Sequence, residues 1–173
     1  WLNNQPAPEM GAGTYKGGIT MKHTSIAATK VLDALTAGLD NPGDHKTFDA
    51  HGYTKEWNGG IMAVHVENIG NIPSTGTGNL YSVTHYYKQN GDMMRDPEMI
   101  FWAGQGMVGN NGTSRFVDTF YPVYFRQDGG YPIDQESAVF EAGKLKGIRT
   151  RMQADHTSFA NTWMKNIKSQ QGI

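Results

Sequence analysis

In four stretches between residues 61 and 126 apolar and polar positions alternate with a period of two, and towards each end of the chain apolar residues recur three and four apart. The first pattern sets successive side chains on opposite faces of a strand; the second gathers them on one side of a helix. Residues 61–68 read as a strand with Met62, Val64 and Val66 on one face and Ile61, Ala63 and His65 on the other. Residues 80–88 read as a second, in which Tyr81, Val83, His85 and Tyr87 oppose Leu80, Ser82, Thr84 and Tyr86. Asn90-Gly91 supplies two residues that tolerate positive φ in a type I′ hairpin turn, so a third strand, over 98–103, returns antiparallel. Pro97 suits the start of that strand or an edge, where a missing N–H costs little. A fourth strand covers 116–126 and bends or lies at an edge at Pro122, and 135–142 with 146–152 make a further hairpin.

Thr24 caps a helix that carries Ala28, Val31, Leu32 and Leu35 and stops at Gly38. A second helix runs from Asp155, a good N-cap, to Gly172, with Phe159, Ala160, Trp163, Met164 and Ile167 as its apolar stripe. Residues 41–44 form a turn, 48–60 are irregular, and the glycine-rich 70–79 and 104–113 are loops. Helix, strands, helix is the order of an α+β fold. The expectation is an antiparallel meander of four to six strands with both helices on one face, the other face being left to solvent or a partner. Residues 1–20, with Pro6, Pro8 and four glycines, read as an extended or disordered arm ahead of a single domain over 21–173.

Composition narrows the function classes. A chain of 173 residues suits one domain with its own core. A net charge of −1 gives no field that would draw the whole molecule to nucleic acid. The absence of cysteine excludes disulfides, thiolate nucleophiles and cysteine-ligated zinc. No apolar run approaches the roughly 18 residues of a membrane helix and no basic-then-apolar leader opens the chain, so a cytoplasmic protein is expected.

Candidate chemistry concentrates in residues 85–99. His85 with Asp92, Asp96 and Glu98 combines an imidazole with carboxylates, the groups that bind a divalent metal or perform acid–base catalysis. Arg95 lies among those carboxylates and most simply neutralises them, so the expectation is an ion pair that locks the hairpin, a structural His85, and neither metal nor cofactor. The other five histidines lack metal-site spacing. Gly104, Gly106 and Gly109 give G-x-G-x-x-G, but Asn110-Asn111-Gly112 breaks the helix that a nucleotide site needs next. Tyr86, Tyr87, Trp102 and Tyr124, with Arg95, are the candidate binding residues, suited to anchoring a protein or stacking bases. Lys144, Lys146, Arg149 and Arg151 are the only compact basic stretch, and base-stacking grooves need a basic track beside the aromatics.

The blocks His85-Tyr86-Tyr87-Lys88-Gln89-Asn90-Gly91-Asp92, Asp96-Pro97-Glu98-Met99, Phe120-Tyr121-Pro122-Val123, Asn161-Thr162-Trp163-Met164-Lys165-Asn166-Ile167 and Gln170-Gln171-Gly172 carry a resemblance. Over roughly residues 21–173 the chain resembles a small bacterial family of unknown function found largely on plasmids, phages and related mobile elements. The resemblance implies a stand-alone accessory protein that engages or antagonises a host protein; it brings no catalytic residues. A non-enzymatic protein that binds another macromolecule, a protein foremost, is therefore the expectation. The alternatives are a metal-assisted hydrolase or nuclease using His85, Asp92, Asp96 and Glu98, and a single-stranded nucleic-acid binder using an aromatic sheet face.

Overall fold

A computed structural model describes residues 14–15, 19–50, 62–71, 78–108, 115–142 and 144–173. Of the predicted arm, Thr14–Tyr15 (β1) and Ile19–Thr20 (β2) pair antiparallel, and the other residues up to 18 lie outside the described ones. Helix α1 spans Ile26–Thr36. Its cap is Ser25, whose Oγ accepts from the Ala28 N–H, and not Thr24, whose buried hydroxyl lies 2.8 Å from that of Thr29. The main sheet follows as β3 (His45–Phe48), β4 (Val64–Asn71), β5 (Asn79–Gln89), β6 (Asp92–Val108), β7 (Arg115–Gln127) and β8 (Ile133–Glu136). Their spatial order equals their chain order and every pairing is antiparallel, the meander that the alternation predicts. β9 (Ala138–Glu141) and β10 (Lys144–Ile148) form a separate hairpin, and α2 (Thr150–Gln171) closes the chain.

Both helices lie on one face. Val31, Leu32 and Leu35 of α1 and Trp163, Met164 and Ile167 of α2 bury against Val64, Val66, Val83, Met99, Phe101 and Phe125 of the sheet. Removing such area from water is the main stabilising term in a fold of this size. The opposite face is divided. On one half Trp102, Tyr121 and Val123 pack beneath β9 and β10 with Ala138 and Met21, burying Trp102, which the sequence offered as a binding residue. The other half carries polar side chains and is open.

Several boundaries differ from expectation for identifiable reasons. β3 occupies 45–48, between the expected turn and the expected irregular stretch, where no strand was read; its residues are mostly exposed, so no alternation marks it. β6 starts at the hairpin turn and runs to Val108, well beyond 98–103, while 109–114 lie outside the described residues. Pro97 sits inside this central strand, not at its start. There the register against β5 slips by one residue between Glu98 and Arg95, a bulge that dispenses with a ladder donor. Pro122 adjoins a second bulge in β7, as its bend requires. Residues 135–136 belong to β8 and 150–152 to α2, so the last hairpin is shorter than 135–152. α2 begins five residues before Asp155 because its first turns bury polar groups, which the apolar stripe cannot reveal. Gln153 exchanges hydrogen bonds with the Lys22 backbone at 2.9 and 2.7 Å and donates to Thr157. Gly172 ends the helix in the left-handed region, as expected.

Candidate functional site

The hairpin turn forms with Asn90 and Gly91 at φ 53° and 95° and Gln89 opposite Asp92. The bulge at Asp96–Pro97 then decides which candidate residues meet. With one extra residue between them, Arg95 and Glu98 share the open face, where Arg95 Nε approaches Glu98 Oε2 at 2.8 Å. The buried Nε–H is not aligned on that oxygen, so the contact is an ion pair more than a hydrogen bond. Glu98 Oε1 also accepts from Ser82 at 2.7 Å. Across β7, Asp128 takes Arg95 Nη1 at 3.2 Å on one oxygen and Arg126 Nε at 2.9 Å on the other. Burial works against the Asp128 charge, but the Arg95 backbone N–H and the two guanidinium groups outweigh it and hold the carboxyl below its ordinary range. Beside this lattice Tyr86 sets its ring edge-on to His65 at 5.2 Å, and the Tyr124 hydroxyl meets Asp134 and Arg126.

The four candidate catalytic groups are not brought to one place. His85 is 4% exposed, on the helix side, edge-on to Trp163 at 5.4 Å, with Nδ1–H donating to the Ala63 carbonyl at 2.9 Å. Asp96 turns away from Arg95 and Glu98, accepts from Gln127 Nε2 at 2.6 Å and is felt electrostatically by His85. Glu98 is on the open face, and Asp92 is exposed at the turn with no ion pair among the described residues. The expected ion pair exists, but it joins Arg95 to Glu98 and Asp128, not to Asp92 or Asp96. Of the candidate binding residues, Tyr86, Arg95 and Tyr124 border the open half, and the Tyr87 hydroxyl packs against Gly129 and donates to Gln89. Trp102 is a correction: it is buried beneath the β9–β10 hairpin against Tyr121, whose phenol burial pushes up to about 12, and it offers no stacking surface. Arg126 and Asp128 were missed; the sign available was Asp128-Gly129-Gly130, a turn that folds β8 back on β7.

Among the described residues no three histidine, aspartate or glutamate side chains come together to hold a metal ion, and no helix is long and apolar enough to cross a membrane. A second buried histidine, His156, donates from Nε2 to Gln135 at 3.2 Å and accepts at Nδ1 from Ser137 at 3.0 Å. Burial lowers the pKa of both His85 and His156. The fold thus favours the neutral form of both rings. Their contribution to stability is full above about pH 6.5, the ordinary value, and is lost as pH falls through it towards the lowered folded values. Urea midpoints should drop between about pH 7.5 and 5.5, and His156→Asn should flatten that slope; a flat wild-type profile would contradict the account.

No curated protein and no solved structure matches the chain significantly. A family described as a domain of unknown function (DUF6908) matches residues 39–173, from the end of α1 to the last residue, somewhat less than the 21–173 of the resemblance. Since that match takes in the whole main sheet and α2, the chain belongs to the DUF6908 family.

Proposed function

We propose that the protein acts by binding a protein partner on the open half of its sheet. The observation that carries this reading is the Arg95–Glu98–Asp128–Arg126 lattice flanked by Tyr86 and Tyr124. Its side chains hold one another in place and remain about a third exposed at both arginines. Tyrosine and arginine that need no further ordering are the side chains that anchor protein interfaces, because little conformational entropy is left to lose on association. Interleaved carboxylates would repel a phosphate backbone, which disfavours the nucleic-acid alternative. On the resemblance alone, the partner is a host protein and the chain an accessory protein of a plasmid or phage.

The test places a photo-crosslinking residue at Tyr86 or, as the control, at Phe159 on the helix side. In a bacterial host Tyr86 should give a discrete product that Phe159 does not, and Tyr124→Ala should remove it. The same product from both positions, or from neither, would overturn the reading.

A further inference from the structure

On the helix side, at the end of the sheet away from the 89–92 turn, a cavity of about 480 Å³ opens between α1 and strands β5 to β7. This is within the size range of small-ligand sites. Its floor is aromatic: Tyr81 and Phe120 meet edge to face at 6.2 Å. The Tyr81 hydroxyl is used up, donating to the Leu39 carbonyl at 3.3 Å and accepting from Asn79 Nδ2 at 3.1 Å. The Asn79 amide oxygen is thereby left as an acceptor. The Thr36 hydroxyl donates to its own helix, at Leu32 O. The walls add Asp33 from α1 and Asp118 from β7, and both also line an adjoining pocket of about 170 Å³ that Lys30 and His23 share without an ion pair to either carboxylate. Among the described residues neither carboxylate has an ion-pair partner. Partial burial, and then the Asp118 charge, raise the Asp33 pKa. The Tyr81 and Phe120 rings are themselves buried, so the cavity presents acceptors over an apolar floor, and its electrostatics ask for positive charge.

A planar cation with several N–H donors answers both features. Its donors span two carboxylates and an amide oxygen, and its charge relieves the repulsion between Asp33 and Asp118. We propose that this cavity receives the guanidinium of an arginine carried by the protein partner. The inference rests on the protein-binding reading and deepens it, adding an anchor on the helix side to the surface around Arg95.

The experiment is an NMR titration of the full chain with N-acetyl-arginine-amide, its neutral isostere N-acetyl-citrulline-amide, and magnesium chloride. The arginine probe should give saturable shifts in α1 and β7, and binding should be roughly tenfold weaker or worse for citrulline and for Asp118→Asn. Asp33 and Asp118 are exposed, so their amides should leave the fold intact, which the spectrum itself reports. Equal binding of citrulline, saturable magnesium binding that displaces arginine, no saturable arginine binding, or an Asp118→Asn chain that binds like wild type would each overturn the inference. The crosslink separates the two readings. If Asp118→Asn still gives the Tyr86 product in full while Tyr124→Ala does not, the cavity is not the anchor and the open-face reading stands. Loss of the product in both variants supports both.

Discussion

Trp163→Ala should lower the free energy of unfolding by about 3–5 kcal/mol, the usual cost of truncating a large aromatic in a core. The indole is 6% exposed, lies edge-on to His85 at 5.4 Å and is tilted against Phe159 at 6.0 Å, so it joins α2 to β5. Removing it leaves a void that β5, held by its ladders between β4 and β6 in a six-stranded sheet, cannot collapse to fill. Thermal unfolding should move by roughly 10 °C or more. Phe159→Ala, at a ring already 40% exposed, should cost much less. Equal shifts for the two variants would mean that α2 is not seated on the sheet through Trp163.

Gly78→Ala should be comparably damaging, although the change adds only one methyl. Gly78 has φ 100°, where a side chain is strained, and an added Cβ would overlap the Ala103 carbonyl oxygen and lie 2.6 Å from Trp102 Nε1. Strain and overpacking each cost on the order of 1–3 kcal/mol, and here they add. Gly129→Ala is the matched control. Its φ is 92°, but its Cβ would meet only side-chain ends, foremost the Tyr87 hydroxyl, the far end of a half-exposed ring that can move. Urea unfolding of both variants decides the point: if Gly129→Ala cost as much as Gly78→Ala, the positive φ alone would account for the effect and the packing argument would fall.

The periodicity of the chain determines both helices and the buried strands, because alternation and the α2 stripe are local properties that burial against a common core reinforces. The Asn90-Gly91 turn, the left-handed stop at Gly172 and the gathering of both helices on one face were legible for the same reason. Three outcomes needed the tertiary structure. The bulge at Asp96–Pro97 carries no hydrophobic signature, yet in a strand of period two one extra residue exchanges faces beyond it. It therefore puts Arg95 with Glu98 and parts them from Asp96. The partner that completes the lattice, Asp128, is 33 residues from Arg95 and arrives only when β7 pairs with β6. Trp102 stands on the face expected to be open, but a hairpin that follows β8 buries it together with Tyr121. Local spacing records which way a side chain points from its own strand, whereas what stands opposite it depends on register and on the elements packed above, and these are settled by the whole fold at once.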